Sequence, residues 1–275
     1  MIRNDSLIRF AGRLTEEEKS RATVEKYLRD ARKFEEYLEN RVLTKQETVR
    51  YKAWLAERYE VTSVNSMLVS LNTYLRFLDR PECCVRLLKM QRRIFAGEER
   101  ELSTGEYRRL LGAAQGTRLE LVMQTICETG IRVSELRYIT VEAVKQGRCT
   151  VACKSKSRVI LIPSSLRKRL LPYIKKAGLT TGSIFLTKRG RPLDRSNVWR
   201  DMKALCGRAG VTPSKVFPHN LRHLFARTFY AIERDIVRLA DLLGHSSINT
   251  TRIYTMETGK RHLDCMERVH RRLMT

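Results

Sequence analysis

The 275-residue chain reads as mainly α-helical with one small antiparallel β-hairpin, in two domains joined by a linker. Three observations predict this. Apolar residues recur at helical spacing along most of the chain. One short stretch switches to β-branched runs around a Lys/Ser turn. The length exceeds what one small helical core needs, and 42% hydrophobic residues are enough for ordinary globular interiors.

The first ~80 residues predict a helical bundle. Residues 15–38 form one helix, with Thr15 and Glu18 as a capping box and Val24, Tyr27, Leu28, Ala31, Phe34 and Leu38 on one face. A second helix, 44–58, opens with Thr44 and Glu47 and buries Trp54 and Leu55. The third, 63–79, has the most regular stripe: Val64, Met67, Leu68, Leu71, Tyr74, Leu75 and Leu78. Pro81 stops it. Residues 81–100 have no clear period and read as a basic linker suited to a phosphate backbone.

The second domain, 101–275, begins with a Ser103/Glu106 cap and helices at 104–114 and 118–128, the latter broken at Gly130. A short helix follows at 132–138. "CTVACKSKSRVILIP" is two β-rich runs around a Lys/Ser turn, hence a hairpin. "SIFLT" (183–187) reads as a further short strand. Helices resume at 164–176, 195–209, 219–232, 235–243 and 247–254, with a tail helix to about 272.

Lys and Arg total 54 against 30 Asp and Glu, giving a formal charge of +24. Roughly +5 of it lies in residues 1–100 and the rest beyond. A field of that sign attracts polyanions, nucleic acid first. The seven cysteines (83, 84, 127, 149, 153, 206 and 265) form no metal-spaced CxxC pair and accompany no secretory leader, which fits reduced thiols in a cytoplasm. No apolar run approaches a membrane span.

Several polar residues of the second domain sit at helix starts or turns beside apolar runs. Arg132 lies in "TGIRVSEL", His219 and Arg222 in "HNLRH", His245 in "LLGH", and Tyr254 nine positions after His245; Lys154 and Lys156 occupy the hairpin tip. Each has a plain structural explanation alone: an ion pair of Arg132 with Glu135, a glycine cap before His245, a core tyrosine. Together they suit attack on a phosphodiester. Two guanidiniums can each hold two non-bridging oxygens of a five-coordinate phosphorus. A phenol is almost wholly protonated at neutral pH, so His219 would help Tyr254 lose its proton. A mobile lysine can protonate the leaving 5′ oxygen, and His245 can donate to a phosphate oxygen. Cations and hydrogen bonds would replace a metal.

In this order, the five elements resemble the tyrosine recombinase family, the phage-integrase-type site-specific recombinases. The resemblance covers about 101–260, and the N-terminal helices are similar to that family's core-binding domain. It implies Arg132 and Arg222 as phosphate-clamping arginines, Glu135 as an orienting acid, His219 and His245 as the two histidine positions, Tyr254 as nucleophile and His223 as a structural residue. The family often reads K-G-x-K-x-R at the hairpin; here the tip is K-S-K-S-R, shorter by one residue and without glycine, so Lys154 is favoured as general acid with Lys156 as the alternative.

The resemblance further implies a two-domain clamp around double-stranded DNA bearing short recombination sites, with a covalent 3′-phosphotyrosine intermediate and no ATP, metal or other cofactor. It implies a monomer or dimer in free solution, a homotetramer on DNA and action at the bacterial nucleoid, away from membranes. No extra domain is evident before residue 15, which favours integration/excision, inversion or resolution at simple sites. Leu263, Met266, Val269 and Leu273 give the tail helix an apolar face to dock on a neighbouring protomer. Three rivals remain open: a type IB topoisomerase, a non-catalytic DNA-binding regulator of the same fold, and a metal-dependent transposase, for which no carboxylate trio is apparent.

Overall fold

The computed structural model describes residues 2–39, 41–89, 101–153, 156–254 and 259–274; at 2–4, 152, 153, 156 and 259–265 it describes the backbone alone. The backbone divides into two units, Met1–Arg92 and Arg93–Thr275. Among the described residues no helix is long and apolar enough to cross a membrane.

The first unit holds α1 (Ile2–Glu16), α2 (Arg21–Leu38), α3 (Lys45–Arg58) and α4 (Val61–Phe77). The single helix expected over 15–38 is therefore two. Thr15 lies in the last turn of the first, its hydroxyl donating to the Ala11 carbonyl. Glu18 turns the chain at φ 55°, and Ser20 caps the second by accepting from the Thr23 amide. Leu7, Phe10 and Leu14, a helical stripe ahead of the expected first helix, are buried against Ala31 and Tyr74. Phe34, Leu38, Tyr51, Leu55, Val64, Leu68, Leu71 and Leu75 form the main core of this unit.

The expected linker 81–100 needs correction in its first part. Pro81–Cys83 is a 3₁₀ turn, and Cys83 and Val85 are buried in the same core. Two asparagines of α4 bind the extended chain that follows. The Asn72 amide donates to the Val85 carbonyl (2.8 Å) and its oxygen accepts from the Val85 amide (2.9 Å). Asn65 makes the same pair with Leu88 (3.0 and 2.7 Å). The segment lacks a helical period because it is extended, with its backbone groups satisfied by side chains rather than by a neighbouring strand. Residues 90–100 of that linker lie outside the described residues.

The second unit opens with α5 (Thr104–Ala113) behind a reciprocal Ser103/Glu106 capping box, then α6 (Arg118–Thr129), which Gly130 ends at φ 64°. A 3₁₀ helix, Val133–Tyr138, takes the place of the short α-helix expected at 132–138. After α7 (Val141–Gln146), strands β1 (Arg148–Cys153) and β2 (Lys156–Leu161) pair antiparallel, with Cys153 opposite Lys156 and Arg148 opposite Leu161. Val151 and Ile160 face the core, whereas Val159 and Leu161 face outward. Then come α8 (Ser164–Lys176), α9 (Arg195–Ala209), α10 (Pro218–Glu233), α11 (Ile236–Leu243), α12 (Ile248–Thr251, continued as a 3₁₀ turn to Tyr254) and α13 (Gly259–Met274). The strand expected at 183–187 is not formed. Thr140–Ser183 and Leu186–Pro192 make isolated bridges, and Ile184 and Phe185 fill the core from a loop.

Candidate active site

Three turns and one helix of the second unit bring the candidate residues together. The turn after α6 presents Arg132, whose backbone amide donates to Glu135 Oε2 (2.7 Å) while its guanidinium donates to Glu135 Oε1 (3.0 Å). Glu135 is buried, yet its carboxyl is held below the usual range: these amide and guanidinium donors, with Arg158, outweigh burial. The Arg132 side chain remains 40% exposed and available to a ligand.

The first turns of α10 carry His219, Arg222 and His223. Arg222 is 1% exposed, a position that an arginine takes only with its donors satisfied. It donates to the carbonyls of Gly130 (2.6 Å) and Leu243 (2.8 Å), joining the turn after α6 to the end of α11. Its Nη2 also lies 3.0 Å from His245 Nε2. Burial, then Arg132, lowers its pKa to about 10, so it stays charged at neutral pH; the nearby Tyr254 hydroxyl pulls the other way.

His245 follows Gly244, which closes α11 at φ 64°. A guanidinium has only donors, so Nε2 accepts from Arg222 and the proton sits on Nδ1, which is 2.9 Å from Thr251 Oγ1. Burial, then Arg222, lowers the His245 pKa to about 4. Burial and the same arginines also lower that of the more accessible His219.

Tyr254 is 4% exposed at the end of the turn after α12. Its ring stacks on His245 (centroids 5.9 Å apart, 17°) and meets His223 edge-on (4.6 Å, 80°); His223 in turn meets His219 edge-on at 4.5 Å. The nine-residue step from His245 thus returns the phenol to the imidazole and to Arg222. Lys154 lies outside the described residues. Lys156 opens β2, and its side chain is not described.

Two participants received no role from sequence alone. Thr251, fully buried, accepts the Nδ1 proton of His245 once Arg222 has fixed the tautomer. Arg158, on β2, donates to Glu135 Oε2 and to the Leu242 carbonyl. The final Arg of K-S-K-S-R was its only signal. His223 is also closer to the chemistry than a remote structural residue, since its ring touches that of Tyr254.

A cluster of permanent cations beside a buried phenol, with neutral imidazoles next to it, has the chemistry that covalent transfer of a phosphoryl group requires. Comparison with known proteins agrees with that class. The phage integrase family model matches residues 100–261, and the model of the phage integrase N-terminal SAM-like domain matches 7–82. The chain is 30% identical to tyrosine recombinase XerA of Pyrococcus furiosus, over 98% of this chain and 95% of that one. It is also 30% identical to XerA of Thermococcus kodakarensis, over 93% and 92%. The crystal structure of XerA recombinase superimposes with a TM-score of 0.54 at 28% identity, covering 98% of both chains. A lambda integrase (75–356) dimer bound to a COC′ core site shares the fold, with a TM-score of 0.74 at 20% identity over 93% of this chain and 96% of that one. The chain belongs to the phage integrase family.

Proposed function

We propose that this protein is a site-specific DNA recombinase that cuts and rejoins strands through Tyr254. The Tyr254 oxygen attacks the scissile phosphorus and its proton passes to His219, which is neutral at physiological pH. The bond from phosphorus to the 5′ oxygen breaks with its electron pair, and that oxygen takes a proton from a lysine of the hairpin, Lys154 or Lys156. The product is a 3′-phosphotyrosine and a free 5′ hydroxyl. Attack by another 5′ hydroxyl reverses the steps, so the ester's energy is retained and neither ATP nor a metal enters.

Arg132 and Arg222 neutralise the non-bridging oxygens, which carry more charge in the transition state than in the ground state. Both nitrogens of His245 are engaged in the free protein, so it can donate to a phosphate oxygen only after Nε2 leaves Arg222 and gains a proton. The phosphate, arriving at Arg222, is the group that would displace it.

In the first unit, Lys26, Arg29, Arg32 and Lys33 line a cavity of about 630 Å³ that also holds Asp30 and Glu36, so that basic residues outnumber acidic ones there. This surface suits the phosphate backbone of duplex DNA around the recombination site. On DNA the protein assembles as a tetramer, with α13 docking on a neighbouring copy; its action on DNA places it in the cytoplasm.

The observation that carries the proposal is the packing of the Tyr254 ring between His223 and His245, both rings lying beside the buried Arg222. The test is a nicked suicide substrate carrying a recombination site, with plasmids carrying one or two sites alongside. Wild-type protein should form a covalent adduct at the 3′ phosphate and recombine two-site plasmids. Tyr254→Phe keeps the ring packing and should bind DNA without forming adduct. An adduct that persists in Tyr254→Phe rejects the nucleophile, and relaxation without recombination rejects the recombinase.

A further inference from the structure

We infer that Arg158 is a positioning residue for this active site, holding the Arg132 turn and the His245 turn in register across the hairpin. The inference rests on the reading of Arg132, Arg222 and Tyr254 given above and extends it to a residue that touches no substrate.

Arg158 reaches two segments far apart in the chain. Its Nη2 donates to Glu135 Oε2, and Glu135 uses its other oxygen to hold the Arg132 guanidinium. Its Nη1 donates to the carbonyl of Leu242, three residues before His245. The Arg158 stem lies directly beneath Gly244: a Cβ there would fall 2.5 Å from Arg158 Cδ and 3.1 Å from Nε. One side chain therefore sets the separation of the clamp arginine from the histidine turn.

The energetics favour positioning over stability. Only 13% of the Arg158 side chain is exposed, and its Nε is buried with no hydrogen-bond partner among the described residues. Arg158 also adds a third guanidinium beside Arg132 and Arg222, and it lowers the pKa of both Arg222 and His245. Two of these three cations bond the single carboxylate of Glu135. A buried cation in a positive field, incompletely bonded, destabilises the free protein. An apolar residue at 158 would remove that penalty but would also remove both tethers. A site that binds a phosphodiester gains from the arrangement, because the ligand brings the missing negative charge.

The experiment measures single-turnover adduct formation on the nicked suicide substrate at saturating protein, with DNA affinity and thermal unfolding measured in parallel. The proteins are wild type, Arg158→Met, Arg158→Lys, Glu135→Gln, the Arg158→Met/Glu135→Gln double variant and Arg132→Ala. A displacement of reacting groups by about an ångström costs on the order of a hundredfold in rate. Arg158→Met should lose about that factor, with DNA affinity within about threefold and a cooperative unfolding transition that stays above the assay temperature, although Glu135 and the Leu242 carbonyl each lose a partner. Arg158→Lys, which can keep one tether, should recover part of the rate. The double variant should be little slower than the slower single variant, because both act through the same carboxylate.

Three results would each overturn the inference: an Arg158→Met rate near wild type, losses that multiply in the double variant, or a rate loss matched by equal losses of DNA affinity and folding. Failure of the underlying reading looks different: Arg132→Ala would then form adduct at the wild-type rate whatever Arg158 does.

Discussion

Arg222 Nη2 and His245 Nε2 stand 3.0 Å apart, and the arginine can only donate. That contact fixes the imidazole as neutral, with its proton directed to Thr251. It also makes Arg222 a structural member of the site, because the same guanidinium binds the carbonyls of Gly130 and Leu243. The two candidate clamp arginines should therefore respond differently to removal. Arg222→Ala leaves two buried carbonyls without a donor, at ~1–3 kcal/mol for each stranded group. Arg132 is 40% exposed, and its partner Glu135 keeps Arg158 and a backbone amide. Urea unfolding should show a loss of about 2–6 kcal/mol for Arg222→Ala and less than about 1 kcal/mol for Arg132→Ala. Adduct formation should fall by ~10²–10³ in both. Equal stability of the two variants would contradict the buried bonding of Arg222.

The histidines give the site a pH signature. His219 titrates below its ordinary value of 6.5 because it is partly buried and faces Arg222, Arg132 and Arg195. As the proposed proton acceptor it would work in the neutral form. The single-turnover cleavage rate should hold as pH falls to 6.5 and decline only below it. A midpoint at or above 6.5 would mean that the limiting base is not His219 in this environment.

Stability follows the same sign. His245 and His223 are neutral in the fold, with pKa values lowered to about 4 and about 3, whereas the unfolded chain takes up these protons near 6.5. Below 6.5 the unfolded state binds more protons than the native state, so stability declines with falling pH. The stabilisation is intact above 6.5 and is lost as the pH passes through about 4 and then about 3. Urea midpoints at pH 7.5 and 5 should differ in that direction, and His223→Asn should flatten the dependence.

Two glycines are fixed by contact as well as by conformation. Gly130 and Gly244 both have φ 64°; a Cβ on Gly130 would run into the Phe225 ring, and one on Gly244 into Arg158. Gly178, at φ 66°, has open space around the same position. Gly178→Ala should cost only the left-handed strain, ~1–2 kcal/mol. Gly130→Ala should add an overpacking penalty of ~1–3 kcal/mol. Gly244→Ala should slow adduct formation more than it lowers the melting temperature, because it displaces the arginine beneath it. Matching melting curves for Gly130→Ala and Gly178→Ala would argue against the close approach.

Much of this was legible from local pattern. Helices α8 and α9 have the bounds expected from the sequence, and the hairpin appears where β-branched runs flank K-S-K-S. Local signals failed where a second candidate lay beside the true one. Thr15/Glu18 has the spacing of a capping box, but the helix after it begins at Ser20, and the stripe of Leu7, Phe10 and Leu14 belongs to a separate helix. "SIFLT" has strand composition but no partner strand, so Ile184 and Phe185 are buried as a loop. Within the site, the residues with a reactive group at a turn were visible. Arg158 was not: its importance depends on the register of β2 and on a carbonyl 84 positions away, and no spacing in the sequence encodes either.

The helix α13 supports a final prediction. Met266, Val269, Leu273 and Met274 are 67%, 52%, 77% and 75% exposed, so the described part of this helix's apolar face is not covered by other described residues. Burying such side chains is worth about 25 cal/mol per Å², and four of them give a strong drive towards a partner surface. The helix also carries Arg268, Arg271 and Arg272, which suit an assembly formed on a polyanion. Removing residues 259–275 should leave single-site DNA binding within about threefold and strongly reduce assembly on paired sites, measured by native gel mobility and by light scattering of the protein–DNA complex. Met266→Glu/Leu273→Glu should reproduce the assembly defect with the helix still present. Paired-site assembly that is unchanged in both proteins would mean that α13 folds back on its own chain when DNA is bound.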